Sequence, residues 1–499
     1  MAAQAGARVA ARGGNAVDAA VAATLVSLTT ETAVASLGGG GFVTLCPPRA
    51  EPYTIDGYVE MPGRSAPAER LGTGLRPVRM DYGGGTDTTV GFGSVATPGA
   101  LAALEEAWRR EGSLPWAPLV EPALEWAEKG FPLTSAAHEY LTSSHEVIFG
   151  WHPECRRALH REDGSLPEAG EAIRIEGLSW SLREIADGGA RAFYEGELGE
   201  RIGRHVFERG GLLSTEDLRA YRPRTRPSLR AEVGGWKVAT NPPPAVGGAA
   251  LVAMLLLMGG VPREAWDEAA LLRVIRVQAA VLDYRRREVD PSPNLLEDAA
   301  RMLDASVIEA LGRRVESAST VHTSAVDSEG RACAASVSTG YGSGVVAPGT
   351  GIFLNNGLGE LELNRRGLHA REVGDRLPSN MAPTVARSPE GAVLAVGSPG
   401  ADRITTAILQ TLLNFLNLEM SLEEAIAHPR LHVEDTGAEG PGLRVAFEPG
   451  LPVARLPVSS RTFPALSMFF GGVGAALAPA EGPLSAASDP RREGGTAIH

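Results

Sequence analysis

Two rhythms of apolar and polar positions run along the chain. From Ala16 to Leu28 nearly every residue is apolar or small, which predicts a buried helix introduced by Gly13-Gly14-Asn15. Asn15 is placed to cap it, and Asp18 suits the positive end of its dipole. Gly38 to Gly41 read as a tight turn into a buried strand, Phe42 to Leu45, and Tyr53 to Asp56 predicts a second strand. Ser65 to Gly91 is rich in Gly, Pro and Thr and reads as irregular. Helical spacing follows from Val95-Ala96-Thr97-Pro98-Gly99 through about Arg110, and then over Leu119 to Lys129, Ser181 to Asp187 and Gly196 to Glu208. Gly210 to Leu218 reads as a strand end leading into a helix capped by Ser214 or Thr215. Trp236 to Thr240 predicts a strand. The rigid Pro242-Pro243-Pro244 and two glycines then start the apolar helix Ala249 to Met258. Leu271 to Arg287 is a further helix, and 288–319 reads as a mostly helical connector.

The period then changes to two. Ser324-Ala325-Val326, a turn at Asp327-Ser328-Glu329-Gly330, and Ala332 to Ser338 form a hairpin pattern of small and β-branched residues. Gly351 to Asn356 reads as a strand into a turn. Val393 to Val396 is a strand running through Gly397-Ser398-Pro399-Gly400-Ala401-Asp402-Arg403 into a helix over Ile404 to Leu416.

Composition narrows the picture. The chain has 499 residues, 43% hydrophobic and 21% charged, as in a globular protein with a large core. Its net charge of −13 argues against a nucleic-acid partner. The three cysteines, Cys46, Cys155 and Cys333, are too few and too scattered for a disulfide framework or a metal site, so neither metal nor cofactor is expected. His152 and Cys155 read as ordinary loop residues. No stretch reaches membrane-spanning length, and no basic-then-apolar leader opens the sequence, so a cytoplasmic location is expected as the sequence stands.

Two stretches carry chemistry. Thr320 heads the hairpin. Were the Ser319–Thr320 bond cut, Thr320 would gain a free α-amine able to activate its own hydroxyl as a nucleophile. The glycine-rich strand-to-helix junction at Gly400 and Ala401 directs backbone N–H groups at one spot, as an oxyanion hole requires. Read alone, each stretch is better taken as plain structure, Thr320 as a β-former in a loop and Gly397 to Arg403 as a strand-to-helix turn.

Taken together, the segments resemble the γ-glutamyltranspeptidase family, in order and over nearly the whole chain. The matching stretches are Gly13 to Ala20, Gly38 to Phe42, Val95 to Gly99, Ala192 to Gly196, Gly210 to Tyr221, Pro242 to Gly248, Gly351 to Asn356, Gly397 to Arg403 and Asp489-Pro490-Arg491-Arg492. The resemblance implies an α+β N-terminal-nucleophile fold, a four-layer αββα sandwich of two stacked antiparallel sheets. It implies a zymogen that cuts itself into 1–319 and 320–499, the two fragments remaining together as one intertwined domain. It implies that Thr320 attacks an amide such as that of glutathione, that Gly400 and Ala401 hold the oxyanion, and that Ser338, Glu360, Ser379 and Asn380 contact the substrate. The acyl group then passes to water or an amine.

The departures gather on recognition. Val59 stands where the family has its carboxylate-binding arginine, with Arg64 nearby as a replacement. Gly357 replaces a glutamine, Glu360 an aspartate and Asn380 a serine, while Val321 replaces a second threonine. The hairpin tip Ser336 to Gly342 and the segment between Glu360 and Ser379 are short, leaving a site without a lid. A γ-glutamyl enzyme with rebuilt contacts, an amidase of the cephalosporin-acylase kind, and an inactive scaffold are the readings this leaves. Met1 falls where the family already has its first helix, so a leading strand and an exported protein are also expected alternatives.

Overall fold

The computed structural model describes every residue except 32, 82–84, 263, 305–306, 308–319, 401–402, 436–442 and 493. Two large sheets organise it. Their strands are β1 (Gly40–Cys46), β2 (Tyr53–Gly57), β3 (Arg224–Pro227), β4 (Leu229–Val233), β5 (Trp236–Thr240) and β6 (Val321–Val326). The remaining five are β7 (Ala332–Ser338), β8 (Thr384–Arg387), β9 (Val393–Gly397), β10 (Gly474–Ala478) and β11 (Ser485–Ser488). The first sheet runs β6-β7-β1-β2-β3 and the second β11-β10-β9-β8-β5-β4, with every neighbouring pair antiparallel.

Strand alternation sorts the side chains into layers. On β7, Cys333, Ala335 and Val337 face the helices Ala16–Thr30 and Ala100–Glu111, in a core shared with Val17, Val21 and Leu104. Ala332 and Ala334 face the other way and meet Ala239, Val385, Val393 and Ala395 of the second sheet. The layer between the sheets is therefore built of small residues, and this lets the sheets approach closely. Helices Val246–Met258 and Arg403–Leu416 cover the outer face of the second sheet through Leu251, Ile408 and Leu412. The result is the four-layer αββα sandwich.

The helix Ala16–Thr30 is capped as its sequence predicts. Asn15 Oδ1 accepts from the Val17 and Asp18 amides, and Asp18 returns a bond to the Asn15 amide. Ser214 and Asp217 form the same reciprocal cap. Four expectations change. Ser65 to Gly91 contains a hairpin, Arg76–Met80 paired with Thr86–Val90. No strand precedes Ser214 among the described residues. Gly351 to Asn356 makes only isolated bridges, Gly38 to Leu354 and Val346 to Phe353. His152 and Cys155 are buried at and inside the helix Pro153–Leu159 rather than in a loop. The connector is helical over Leu295–Arg301; most of its later part lies outside the described residues. Among those, no helix is long and apolar enough to cross a membrane.

Candidate active site

Thr320 is buried, 3% exposed, immediately before β6. Val321 pairs with Val337, Gly40 with Ser338, and Gly41 with Gly57. One further step of each ladder sets Thr320, Ser338, Gly40 and Tyr58 in a row across the end of the sheet. Thr320 shares its face with His322, two residues on. The His322 ring crosses to the second sheet, where a Cβ at Gly397 would run into it. Its Nδ1 lies 2.8 Å from Ser336 Oγ and its Nε2 2.8 Å from Ser324 Oγ. Ser324 donates its own hydroxyl to the Gly474 carbonyl at 3.1 Å. It therefore accepts from His322 Nε2–H, and His322 Nδ1 accepts from Ser336. Burial lowers His322 to about 3, so the ring is neutral and pins β6 to β9 and β10.

The glycine-rich turn expected to hold an oxyanion follows β9 directly. Ser398 Oγ donates to the Pro399 carbonyl at 2.6 Å and accepts from the Gly472 amide at 3.0 Å. Gly400 has φ +125°, and a Cβ there would lie 2.7 Å from Gly471 Cα. Only glycine fits, on both backbone and packing grounds. The Arg403 amide bonds the Gly400 carbonyl at 3.0 Å as the helix begins. Thr320 and Pro399 line one cavity of about 590 Å³, which opens along the free edge of β6.

The recognition side lies across β7 and β1 from Thr320. Ser338 Oγ accepts from the Gly340 amide at 2.8 Å, and Glu360 packs against Gly340. Tyr58 hydrogen-bonds Ser379 and feels the Glu360 carboxyl, so it joins the two. Burial, and then the neighbouring Glu362, push Glu360 well above the usual carboxylate range. Asn380 is buried, and neither its Oδ1 nor its Nδ2 has a hydrogen-bond partner. Such a group costs about 1–3 kcal/mol until something polar meets it.

Val59 occupies the centre of this wall. Its amide crowds Gly40, its Cγ2 lies 2.9 Å from where a Gly357 Cβ would be, and its carbonyl accepts from Leu377 at 3.0 Å. Around it pack Phe42, Tyr58, Met61, Ala96, Leu358 and Met381, with Phe42 and Tyr58 stacked at 5.4 Å. Arg64 does not serve this wall: it faces Glu60 at 3.4 Å and Asp217 at 3.6 Å. Arg376 is held below it by Asp56 at 3.1 Å and by Glu60.

The structure thus brings Ser338, Glu360, Ser379 and Asn380 to one end of the first sheet, and Thr320 and Gly400 to the adjoining edge. Ser319 and Ala401 lie outside the described residues. Tyr58 and His322 carry no motif of their own. The alternation of Thr320 with His322 was the one signal for the histidine, and Tyr58 offered none, because its partners are about 300 residues away.

The chain matches the family model described as Gamma-glutamyltranspeptidase over residues 2–499. It is 31% identical over 468 residues to a glutathione hydrolase proenzyme of Pseudomonas aeruginosa, spanning 86% of this chain and 81% of that one. Identity to the glutathione hydrolase proenzyme of Escherichia coli (strain K12) is 28%, over 98% and 88% of the two chains. Acylase ACY 1 proenzyme of Pseudomonas sp. (strain V22) is also 28% identical, over 87% and 81%. Among solved structures, the cephalosporin acylase from Bacillus halodurans superposes with a TM-score of 0.77 at 25% identity, over 99% of this chain and 94% of that one.

Proposed function

The chain belongs to the gamma-glutamyltranspeptidase family, and from that premise we propose that Thr320 is the nucleophile of a self-processing amide hydrolase and acyltransferase. Thr320 Oγ attacks the Ser319 carbonyl carbon, the amide shifts to an ester, and water releases residues 1–319 from 320–499. The freed α-amine takes the proton from Oγ in each later attack and returns it to the leaving amine. Gly400, with Ala401, donates N–H groups to the tetrahedral oxyanion. Water or a second amine then takes the acyl group. Ser338, Glu360, Ser379 and Asn380 line the acyl side.

The observation that carries the substrate reading is the Val59 wall. The γ-glutamyl group ends in an α-amine and an α-carboxylate. Losing a bidentate arginine–carboxylate contact is a large change, and here an apolar cluster fills that position while Arg64 is held by Glu60 and Asp217. The wall favours an acyl group with fewer charges than glutamyl, as in the acylase branch of the family. The γ-glutamyl reading keeps support from Asn380, whose unpartnered amide suits a carboxylate, and from Glu360, which could accept an amine.

Intact mass before and after incubation tests the cut between Ser319 and Thr320. One leaving group carried on butyryl, glutaryl and γ-glutamyl then tests the wall. The expected order of kcat/KM places butyryl, which carries neither the α-carboxylate nor the α-amine, ahead of γ-glutamyl by about tenfold or more. γ-Glutamyl in first place overturns the preference and leaves the nucleophile standing.

A further inference from the structure

Arg492 lines the same cavity as Thr320 and Pro399. Its Nε and Nη2 are shielded from solvent and have no hydrogen-bond partner. The two other arginines of this corner each have a carboxylate partner. Arg491 is held by Glu448 and, at 3.1 Å, by Asp489; Arg430 lies 2.7 Å from Asp489. The Asp489 carboxylate also accepts from the Val473 amide at 2.7 Å and the Arg491 amide at 3.0 Å. The acidic groups here are committed to their neighbours, and Arg492 is left over. A shielded cation without a counter-charge is costly, and an entering anion relieves that cost.

Its position relative to the chemistry is set by glycines. Gly400 packs on Gly471, the Gly472 amide bonds Ser398, and a Cβ at Gly472 would run into Cδ of Arg492. Two backbone layers therefore separate the oxyanion turn from the guanidinium. Val59, Tyr58 and Glu360 lie in the opposite direction, across β7 and β1. Were an amide to lie over Thr320 with its acyl half on the Val59 side, its amine half would reach the open edge of β6, along the cavity that Arg492 lines.

We propose that Arg492 is a specificity residue that binds a carboxylate on the amine half of the substrate, both as leaving group and as acceptor. The substrate class is an amide of an amino acid or another carboxylate-bearing amine. This rests on Thr320 as the nucleophile, and the test separates the two ideas.

The binding of 5-amino-2-nitrobenzoate and of 4-nitroaniline, which differ by one carboxylate on the ring, is measured by calorimetry on the full chain and on R492Q and R492K. The glutaryl amides of the same two amines give a kcat/KM ratio. A charge-assisted contact predicts that the wild-type chain favours the carboxylated partner by about ten- to a hundredfold in both measurements. R492Q abolishes that preference, and R492K, a point charge without the planar fork, keeps part of it. A merely structural arginine would change both partners alike and leave the ratio intact. A wild-type chain with no preference, or an R492Q chain that keeps it, overturns the proposal even while both amides are cut. Should binding depend on Arg492 while neither amide is cut, the anion site stands and the nucleophile reading fails.

Discussion

The two flanks of Thr320 are built on opposite terms. On the flank of the proposed oxyanion turn, a methyl group at Gly397 would meet the His322 ring, at Gly400 the Gly471 backbone, at Gly471 Ser398 Oγ and the Pro399 carbonyl, and at Gly472 the Arg492 side chain, each within about 3 Å. On the acyl flank, Phe42, Tyr58, Val59 and Met381 form a wall of side chains. A surface made of main chain cannot be varied without moving the chain, whereas a surface made of side chains can be rebuilt residue by residue. That difference accounts for a turn after β9 that departs from the family pattern at Ala401, where only a backbone N–H is required, beside recognition side chains that depart from it at several positions.

The largest effect breaks the comparison at its centre. Thr320→Ala is expected to leave one full-length band on a denaturing gel and no turnover of any amide, whereas Thr320→Ser, which keeps a hydroxyl, still cuts. Two fragments from Thr320→Ala would remove the residue both flanks are said to serve.

Next come substitutions on the flanks themselves. Gly400→Ala forces an L side chain to φ +125° against Gly471. It is expected to lower kcat by about a hundredfold, the scale of a lost oxyanion donor. Val59→Ala removes two methyl groups from an apolar wall. It is expected to change the ranking of acyl groups by about tenfold with little change in kcat for the best one. Equal effects of the two on kcat would erase the distinction between a main-chain flank and a side-chain flank.

Acid gives a smaller, graded test of the pin between the sheets. His322 is lowered to about 3 and His205 to about 4, each mainly by burial. Above the unfolded value of about 6.5 both states are neutral and neither ring matters. As pH falls below 6.5 the unfolded chain takes up protons that the folded chain refuses, so stability drops. At pH 5 each ring costs about 2 kcal/mol. His322→Gln is expected to flatten the loss of melting temperature between pH 6.5 and 5. A parallel fall in variant and parent would show that the ring is not what titrates.

How much of this was legible in the sequence follows the range of the forces. The hairpin from Thr320 to Ser338 is local: its alternation is visible, and the structure forms it in that register. The end of β9 and its turn are equally local. Gly351 to Asn356 looked like a strand because Ile352, Phe353 and Leu354 are apolar. It is instead held by the Asn355 side chain, which donates to the Gly38 and Ala96 carbonyls at 2.9 Å each, residues more than 250 positions away. The hairpin at Arg76–Met80 was hidden by the Gly, Pro and Thr around it. Arg492 was in view as the last letter of a motif. That its neighbour Arg491 takes the nearby carboxylates and leaves it free is a fact of packing.

The smallest effect asks what the acyl flank does with the buried acid Glu360. Glu360 lies with Glu362 nearby, and burial together with that neighbour raises its pKa, so the folded chain keeps its proton to higher pH than the unfolded chain does. The sign follows. Below the unfolded value of about 4.3 both states are protonated, and as pH rises above it the unfolded chain ionises while the folded one does not, so stability is lost toward alkaline pH. Glu360→Gln keeps the shape and removes the proton. It is expected to match the parent near pH 4 and to exceed it increasingly as pH rises, read as a higher melting temperature. Activity separates two roles for the same residue. A neutral acid that only donates a hydrogen bond is replaced well by an amide, and every acyl group is turned over much as before. A carboxylate that receives an amine is not, and γ-glutamyl amides alone would slow by tenfold or more. The first outcome joins Glu360 to the apolar wall beside it; the second sets it against Val59 as a remnant of γ-glutamyl recognition on a flank otherwise rebuilt.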